Sequence, residues 1–397
     1  MIVELQHDLR LQRKQDETSR QEFVSSLRSY VLNDMAASMR NRYEADVKPS
    51  IVRKTGEEPV DGPAVHKAMK DDLYFKFYSA VRYNAQEMVW RSIIPSIERN
   101  LDSLIEKADA LNEDDAVPGS LTVTPDFEVP KNVSAIDVHL APGSYSTEFT
   151  ANDVATGSIY DNGLAVFSFG QMGANLDDIG MSMANYVRLK FPDFHPEKIL
   201  DCGCAIGHNT VPWAKTFPDA EVYGVDVAAP AIRYGAARAQ SQGAPVHFMQ
   251  MDAKSLDFED ETFDVVFSSM FLHELPLKDI HAFFREARRV LKPGGLFLNM
   301  ELPPNSAMSA YDSFYLDWDC YYNKEPYYKK FRDQNFSELL TGSGFDDEAK
   351  HVEFIVPRYT YTDESEFNDL IQSHGEFGES TGRLANFVKW FGFGSWK

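Results

Sequence analysis

The sequence predicts an α/β fold in which a doubly wound, mostly parallel sheet follows a mainly helical N-terminal region. From about residue 176, short apolar runs alternate with amphipathic segments, the pattern of a parallel sheet covered by helices on both faces. Residues from about 18 to 110 instead carry apolar side chains at helical spacing. Because 397 residues are enough for two domains, we expect one domain over residues 1–175 and a second over 176–397.

Two apolar faces define the helices expected in the N-terminal region. The first face consists of Phe23, Leu27, Tyr30, Val31 and Met35. The second face consists of Val89, Ile93, Ile97, Leu101, Leu104 and Ile105. Pro95 is expected to kink or interrupt this second helix. The polar stretch KPSIVRKTGEEPVDGP is expected to be the connection between the two faces.

Three segments lead from these helices to the sheet. LNEDDAVPGSLTVTPDFEVPKN is acidic and rich in Pro, Ser and Thr, which is typical of a linker or surface loop. SAIDVHLAPGSY is expected to contain a short strand. YDNGLAVFSFGQMGANLDDIG has closely spaced glycines and aromatic residues, and we interpret it as a partly helical cap segment.

The second half of the chain contains five expected strands, namely KILD, EVYGVD, VHFMQMD, FDVVFSS and LFLNME. Its expected helices are MSMANYVRLKF, NTVPWAKTF, APAIRYGAARAQ and LKDIHAFFREARRVL. The last of these helices is expected to end at the following PGG, since proline and glycine terminate helices. In such a sheet, ligands bind beyond the carboxyl ends of the strands, where the strand order reverses.

The composition limits the partners and the compartment. A formal net charge of -22 disfavours nucleic-acid and membrane partners and permits neutral or cationic small substrates. The charged start and the lack of a long apolar stretch predict a cytoplasmic protein. Cys202, Cys204 and Cys320 are too few for a disulfide framework, which indicates a reducing compartment. No second Cys/His cluster follows Cys202 and Cys204, so no metal is expected.

The turn in ILDCGCAIGHNT lacks bulky side chains at Gly203, Ala205 and Gly207, which indicates that a ligand approaches the backbone there. A dinucleotide fingerprint requires G-x-G-x-x-G, but the second and third of those positions hold Ala205 and His208. The lysine and hydroxyl residue of a phosphate-binding loop are also missing. The turn is therefore a poor site for a pyrophosphate.

Acidic residues stand at the ends of three successive strands. Asp201 precedes the glycine turn, where it would repel phosphates and suit a cationic or amine-bearing ligand. Asp226 could accept both hydroxyl groups of a ribose, and Asp252 could accept the amino group of an adenine. Together they indicate a nucleoside site without phosphates. Alternatively, Asp226 only caps the helix that DVAAPAI opens, and Asp252 is a surface acid.

Five segments resemble, in order and spacing, the successive motifs of class I S-adenosylmethionine-dependent methyltransferases. They are ILDCGCAIG, VYGVD, QMDAKSL, FDVVFSSMFLHEL and RVLKPGGLFL. The subtype is similar to the small-molecule enzymes of the ubiquinone and menaquinone C-methyltransferase kind. The resemblance covers about residues 176–302 and implies a Rossmann-like sheet of seven strands, mostly parallel with an antiparallel last strand. HVEFIVP and NFVKWFGFGSW fit its last two strands.

The resemblance implies S-adenosylmethionine as the cofactor, and it assigns the residues that bind it. They are Asp201, Gly203, Cys204, Ala205, Gly207, Asp226, Val227, Asp252, Ala253 and Ser269. Asp201 would lie near the methionine end, Asp226 at the ribose, Asp252 at the adenine and Ser269 near the departing methyl group. Ala205 stands where the family usually has glycine, so the backbone there must tolerate a Cβ atom.

Methyl transfer from a sulfonium is an in-line displacement, so a base must take the proton of an amine, hydroxyl or activated carbon acceptor. His273 and Glu274 follow the fourth strand at the mouth of the expected site, and with Tyr160 they are the candidate catalytic residues. Asp319 is a further candidate base. His273 could instead start a helix or take part only in packing.

The aromatic segment SAYDSFYLDWDCYYNKEPYYKKF follows the fifth strand, where this superfamily commonly lines its acceptor pocket. Its candidate substrate-binding residues are Tyr311, Tyr315, Trp318, Asp319 and Tyr322. They could form an aromatic, acidic pocket in which each cation–π contact with the acceptor contributes about 0.5–2 kcal/mol. The alternative is a packed aromatic helix with a solvated acidic face.

The sequence therefore predicts an enzyme that transfers a methyl group from S-adenosylmethionine to a small molecule, with an amine-bearing or cationic acceptor as one candidate. A protein or RNA methyltransferase is an alternative, which the negative charge and the lack of an Asn-Pro-Pro-Tyr type motif after FDVVFSS disfavour. A non-catalytic module that binds S-adenosylmethionine is another alternative. The N-terminal helices are expected to form a lid or the surface of a homodimer.

Overall fold

The structure, a computed structural model, describes residues 2–373, 375–378 and 381–397. Its centre is a sheet of eight strands in the order β1-β4-β3-β2-β5-β6-β8-β7. The strands are β1 (Ser120–Thr122), β2 (Lys198–Cys202), β3 (Glu221–Asp226), β4 (Val246–Gln250), β5 (Phe263–Ser269), β6 (Leu291–Glu301), β7 (His351–Val356) and β8 (Trp390–Trp396). Strands β1 to β6 pair in parallel, and β8 is antiparallel to both β6 and β7.

The predicted fold class is confirmed, but the strand count is wrong by one. The additional strand is Ser120–Thr122, which lies in the segment interpreted as a linker and pairs with β4 at the sheet edge. Thr124 extends the contact, since its hydroxyl donates to the carbonyl of Gln250 at 2.9 Å. A strand of three residues is too short to show an alternating pattern, so the sequence alone did not indicate it.

Fifteen α-helices surround the sheet in the described part of the chain. They are α1 (Gln15–Tyr30), α2 (Ala36–Arg42), α3 (Lys48–Thr55), α4 (Gly62–Met69), α5 (Leu73–Asn112), α6 (Lys131–Ser134), α7 (Ala155–Phe167), α8 (Asp178–Lys190), α9 (Val211–Thr216), α10 (Ala229–Ser241), α11 (Leu277–Val290), α12 (Ala310–Tyr322), α13 (Tyr328–Arg332), α14 (Phe336–Thr341) and α15 (Glu364–Gln372). Single π-helical turns join α1 to α2 and α2 to α3. Among the described residues, no helix is both long and apolar enough to cross a membrane.

Helix α5 continues through Pro95 for 40 residues, so the predicted interruption is wrong. A proline inside a helix removes one hydrogen bond and costs about 3 kcal/mol. Buried side chains on both sides of it, Ile93 and Ile97, pack into one apolar cluster. We infer that this packing offsets the lost hydrogen bond.

Three other local predictions also need correction. The expected connection KPSIVRKTGEEPVDGP contains helix α3 and the start of α4, each with a proline in its first turn, a position that proline favours. SAIDVHLAPGSY contains no strand, because its centre is a short 3-10 turn, Val138–Leu140, in which His139 has a φ of 54°. Helix α11 ends at Val290 and β6 starts at Leu291, before the PGG rather than after it.

The strand order reverses between β2 and β5, because the chain moves from β2 out to β4 and then returns to β5. The carboxyl ends of these parallel strands share one edge of the sheet, which is where such folds bind ligands. Helix α5 packs against α1, α7 and α10, so the N-terminal helices lie directly on a helix of the sheet region. The proposed boundary between residues 175 and 176 stays a prediction.

Candidate active site

Every second residue of the turn after β2 has a positive φ: 74° at Gly203, 46° at Ala205 and 75° at Gly207. A Cβ atom on Gly203 would lie 2.4 Å from the ring of Phe271, so only glycine fits there. Ala205 adopts a left-handed conformation that costs a non-glycine residue about 1–2 kcal/mol. The backbone therefore tolerates Ala205 in place of the family's usual glycine, but with local strain.

Asp226 ends β3 and holds this turn in place. Its Oδ2 accepts the amide of Ala205 at 2.9 Å, and its Oδ1 accepts the amide of Ala228 at 2.9 Å, at the start of α10. Ala228 is the residue just before α10, so Asp226 braces the entry to that helix without capping its first turn. An ionised carboxylate offers about four lone-pair sites, so the partly exposed Asp226 can accept further hydrogen bonds. Burial raises its pKa.

Asp252 and Ala253 lie just beyond β4, next to the end of β3. Asp252 is partly exposed and accepts the amide of Lys254 at 3.0 Å, while Ala253 is buried. The ammonium group of Lys254 lies 3.4 Å from Asp252 and 3.0 Å from Asp279. Val227, one residue after Asp226, is anchored by its carbonyl, which accepts the side-chain amide of Gln250 at 3.0 Å.

Asp201 is buried at the end of β2, where its Oδ2 accepts the hydroxyl of Thr210 at 2.7 Å. Burial raises the pKa of Asp201 to about 7, the charge of Asp226 adds to the rise, and the Thr210 hydrogen bond opposes it. Ser269, at the end of the adjacent β5, accepts a hydrogen bond from the Asn209 side chain at 3.1 Å. Both residues therefore lie at the point where the strand order reverses.

Cys204 is buried within the turn, and a Cβ atom on Gly224 would lie 3.0 Å from its sulfur. Cys202 is also buried. Burial raises the thiol pKa of both residues well above its usual value. Cys204 therefore contributes packing and backbone to the turn rather than a thiolate.

His273 is buried beyond β5 and pairs with Glu301, the last residue of β6. His273 Nδ1 lies 2.7 Å from Glu301 Oε2, and Glu301 Oε1 accepts the amides of Phe271 and Leu272 at 2.8 and 2.6 Å. Burial opposes the charged imidazole, but Glu301 outweighs it and raises the pKa of His273 to about 9. Glu301 therefore fixes both the position and the orientation of the ring.

Glu274 lies between His139 and His273, and Glu325 lies beside His139. Glu274 Oε1 lies 3.4 Å from His139 Nε2 and 3.6 Å from His273 Nε2. Glu325 Oε1 lies 3.3 Å from His139 Nδ1. Burial raises the pKa of Glu325, whereas the two histidines overcome burial at Glu274 and lower its pKa. We call His139, His273, Glu274 and Glu325 the His/Glu cluster.

The ring of Tyr160, on α7, contacts that of His208 at 5.5 Å, just after the glycine turn, and the neighbouring Tyr145 contacts His139 at 6.1 Å. Burial raises the pKa of Tyr160 to about 12, and the charges of Glu274 and Asp226 both contribute to the rise. Its ring meets that of Tyr145 edge to face at 5.3 Å. The three candidate catalytic residues, His273, Glu274 and Tyr160, are thus brought into one region.

Asp161, next to Tyr160, anchors α7 to the segment after the glycine turn. It lies 2.8 Å from His7 Nε2 and 3.0 Å from His208 Nε2, and it accepts the hydroxyl of Tyr234 at 2.8 Å. Burial opposes ionisation, but His7, the hydrogen bond with His208 and the charge of Arg238 hold the pKa of Asp161 well below its usual range. This buried network fixes the position of Tyr160 relative to the turn.

The aromatic segment forms α12, and most of its predicted substrate residues pack inside the protein. Tyr311 and Tyr315 are buried in an apolar cluster, and Tyr315 hydrogen-bonds Tyr78 through the two hydroxyls at 2.8 Å. Asp319 lies 2.8 Å from the guanidinium of Arg82. These three residues therefore have structural partners, as in the packed-helix alternative.

Trp318 and Tyr322 line a cavity of about 670 Å³ beside α4 and α12. Phe314, Ile136 and Glu325 are also among its lining residues. Since Glu325 belongs to the His/Glu cluster, the cavity reaches that cluster. His139, Glu301 and Glu325 were missed by sequence reasoning, because no local pattern distinguishes them and only the fold brings them together.

Comparison with known proteins assigns the central part of the chain. Residues 199–295 match the protein family described as "Methyltransferase domain". The fatty-acid O-methyltransferase of Mycolicibacterium smegmatis is 34% identical over 112 residues, which are 28% of this chain and 39% of that protein. The demethylmenaquinone methyltransferase of Thermus thermophilus is 33% identical over 109 residues, 28% of this chain and 49% of that protein.

A third relative, phosphoethanolamine N-methyltransferase 1 of Triticum aestivum, is 34% identical over 103 residues, 26% of this chain and 20% of that protein. The matches to these curated relatives thus span less than half of their length. Residues 199–295 are therefore similar to a methyltransferase domain, as the sequence motifs predict.

Proposed function

We propose that the whole protein transfers a methyl group from S-adenosylmethionine to a small-molecule acceptor. One observation carries the proposal: Asp226 ends β3, while His273 follows the nearby β5 and pairs at 2.7 Å with Glu301, the last residue of β6. The expected cofactor site and a set of acid–base groups therefore share one edge of the sheet. Proximity of this kind can lower a reaction barrier by about 7–11 kcal/mol.

The cofactor supplies a methyl group already activated on a sulfonium. In the proposal, Asp226 accepts the ribose hydroxyls through the lone pairs that the two backbone amides leave free. Asp252 and Ala253 receive the adenine, and Asp201 faces the cationic methionine end. The turn of Gly203, Cys204, Ala205 and Gly207, followed by Val227, provides backbone contacts, and Ser269 borders the methyl position.

His273, Glu274 and Tyr160 are the proposed catalytic residues. Glu301 holds His273 Nδ1, which leaves Nε2 directed at Glu274. Glu274 keeps a lowered pKa and is therefore ionised at neutral pH, so it can take a proton from an acceptor. The raised pKa of Tyr160 keeps its hydroxyl protonated, so it can donate a hydrogen bond to the acceptor or orient it.

The cavity lined by Trp318 and Tyr322 is the proposed acceptor pocket. Its aromatic lining suits a molecule with an apolar or aromatic body, and its contact with Glu325 places one end of that molecule at the His/Glu cluster. Asp319, Tyr311 and Tyr315 do not serve this pocket in the proposal, because they are engaged elsewhere. An amine-bearing acceptor loses the support that a free Asp319 would have provided.

The proposal is tested by incubating the purified full chain with methyl-labelled S-adenosylmethionine and a fractionated extract of small metabolites. We expect a labelled small molecule whose formation is insensitive to salt. Labelled protein or RNA, with a steep salt dependence, would favour the macromolecular alternative. Tight cofactor binding without any labelled product would favour the non-catalytic module and contradict the proposal.

We also propose that the protein is a cytoplasmic homodimer that associates through its N-terminal helices. Phe23 and Tyr30 on α1 and Phe77 on α5 are 59%, 55% and 58% exposed, so these helices offer large apolar side chains to a partner. Light scattering during size-exclusion chromatography tests this. We expect the wild type to be a dimer and the double variant Phe23→Ser/Phe77→Ser to be a monomer. A monomeric wild type would contradict the proposed dimer.

A further inference from the structure

We propose that His139, His273 and Glu325 form a binding site for one divalent first-row transition-metal ion. The three residues come from a loop before α7, the turn after β5 and the loop after α12. One ligand atom from each, two imidazole nitrogens and a carboxylate oxygen, lie within 4.8 Å of one another. The sequence predicted no metal because only Cys202 and Cys204 suggested ligand spacing, whereas these residues are far apart in the chain.

Each histidine has a carboxylate beside the ring nitrogen that is not assigned to the ion, and Glu274 also borders the site, 3.6 Å from His273 Nε2. Glu301 lies 2.7 Å from His273 Nδ1, and Glu274 lies 3.4 Å from His139 Nε2. Histidines that bind metals almost always donate their second ring nitrogen to such a group, which fixes the ring and its tautomer. The nitrogens left for an ion are His273 Nε2 and His139 Nδ1.

His139 Nδ1 is the least explained atom of the site. It is buried and makes no hydrogen bond with any described residue, although Glu325 Oε1 lies 3.3 Å away. A buried polar atom without a hydrogen bond needs an explanation. An ion between His139 and Glu325 provides one, because both would direct lone pairs at it.

The backbone around the site is held rigidly. His139 has a φ of 54°, and this backbone conformation is energetically unfavourable for any residue other than glycine. Its carbonyl accepts the side-chain amide of Gln86 at 3.0 Å and the indole of Trp90 at 2.7 Å, which hold it there. Glu301 is fixed by the amides of Phe271 and Leu272. The ligands are therefore preorganised.

Two imidazoles and one carboxylate select the ion by their chemistry. Imidazole suits Zn²⁺, Fe²⁺ and similar ions, whereas Mg²⁺ and Ca²⁺ prefer oxygen ligands. Three protein ligands leave at least one coordination position open, as in catalytic rather than structural sites. Since Glu325 also lines the aromatic cavity, an ion held by it would border the proposed acceptor pocket.

The role of the ion rests on the proposed function, whereas its binding does not. A metal lowers the pKa of an oxygen that binds to it. An acceptor with a hydroxyl or carboxyl group could then be held as its anion, with Glu274 beside it to take the proton. The proposal therefore specifies an oxygen-bearing acceptor.

The test begins with the untagged full chain after chelator treatment, titrated calorimetrically with Zn²⁺ and, separately, with Mg²⁺. We expect one equivalent of Zn²⁺ to bind and Mg²⁺ to bind far more weakly. Glu325→Gln, which removes a ligand, should lower Zn²⁺ affinity by at least about 100-fold. Glu274→Gln should lower it by about 10–100-fold, the usual effect of an outer-shell carboxylate.

His195→Gln, an exposed histidine away from the cluster, is the control and should bind Zn²⁺ like the wild type. Equal affinity in wild type and Glu325→Gln, or no Zn²⁺ binding at all, overturns the site. If Glu325→Gln does not bind S-adenosylhomocysteine, we take the variant to be misfolded. X-ray absorption spectroscopy of the Zn²⁺-loaded wild type then tests the site instead. Two imidazole nitrogens at the metal support the site, and none or one contradicts it.

The same samples separate this proposal from the proposed function. Zn²⁺ bound by His139, His273 and Glu325 without turnover of any acceptor would leave the site intact and contradict the methyl-transfer proposal. Turnover that is unchanged in the chelator-treated protein would support methyl transfer and overturn the role of the ion.

Discussion

Glu301 Oε2 lies 2.7 Å from His273 Nδ1, and the other oxygen of Glu301 accepts two backbone amides of the turn that carries His273. The last residue of β6 thus holds the turn after β5. This relationship fixes the imidazole at the sheet edge where the cofactor is expected, and it makes Glu301 a positioning residue.

Glu301→Gln should lower kcat by about 10–100-fold while leaving the affinity for S-adenosylmethionine unchanged. The amide would present a donor to His273 Nδ1, and the loss of a charged hydrogen bond should also lower the free energy of unfolding by about 1.5–3 kcal/mol. Steady-state kinetics and chemical denaturation measure both effects. Glu366→Gln, exposed on α15, is the matched control. An unchanged kcat would refute the positioning role.

Asp226→Ala should weaken the binding of S-adenosylmethionine by about 1.5–3 kcal/mol, the range for a hydrogen bond to a charged group. Calorimetry of cofactor binding provides the measurement. Asp219→Ala, which removes an exposed carboxylate near the start of β3, should have no effect. If the two variants bind the cofactor equally well, Asp226 does not serve the ribose.

The affinity for S-adenosylmethionine should rise with pH between about 6 and 8. Burial raises the pKa of Asp201 to about 7, so the carboxyl is largely protonated below that pH in the free protein. A cationic cofactor favours the ionised form, and binding should therefore tighten by up to about tenfold per pH unit until the pH passes the pKa. Asp201→Asn should remove this dependence.

The same shift predicts a change in stability with the opposite sign. Because the folded-state pKa of Asp201 lies above the usual 3.8, the folded protein without cofactor binds the additional proton. The contribution of Asp201 is fully present below about pH 3.8 and is lost as the pH rises through 7. Asp201→Asn should therefore gain stability relative to wild type between pH 5 and 8, as thermal unfolding in parallel buffers would reveal.

Asp161→Asn should lower the free energy of unfolding by about 3–5 kcal/mol, because its buried partners would lose the negatively charged carboxylate that they contact. His7, His208 and Tyr234 all contact Asp161 in the interior. Asp16→Asn, which breaks an exposed ion pair with Arg20, should change stability by less than about 1 kcal/mol. Similar effects of the two substitutions would show that the buried network is not important for stability.

Tyr322→Ala should raise the KM for the acceptor without changing the affinity for S-adenosylmethionine, because Tyr322 lines the aromatic cavity. A raised KM with unchanged cofactor affinity identifies a residue of the pocket, whereas a general folding defect would change both quantities. Phe149→Ala, an exposed aromatic residue outside the cavity, is the control. A change in cofactor affinity alone would remove Tyr322 from the acceptor pocket.

The sheet and the strand-end acids could be predicted because their signals are local. Each strand is a short apolar run that ends in a turn, and parallel pairing brings Asp201, Asp226 and Asp252 to one edge. The fold class followed from this alternation. By contrast, Ser120–Thr122 joins the sheet through pairing with β4, and nothing within three residues indicates that partner.

The substrate side was harder to predict, because it depends on contacts between distant segments. Asp319 was expected to serve a cationic acceptor, but Arg82 from α5 neutralises it. His139 lies in a stretch expected to form a strand, and only tertiary contacts place it beside Glu274 and Glu325. Composition indicates acidic and aromatic character, but it does not show which charges are already paired.

The most direct test of the account is a crystal structure of the full chain with S-adenosylhomocysteine. We predict the ribose hydroxyls on Asp226 and the adenine beside Asp252, with the sulfur facing Tyr160 and the His/Glu cluster. A ligand bound elsewhere, or bound here with its sulfur directed away from that cluster, would contradict the central claim that one sheet edge joins the cofactor to the acceptor.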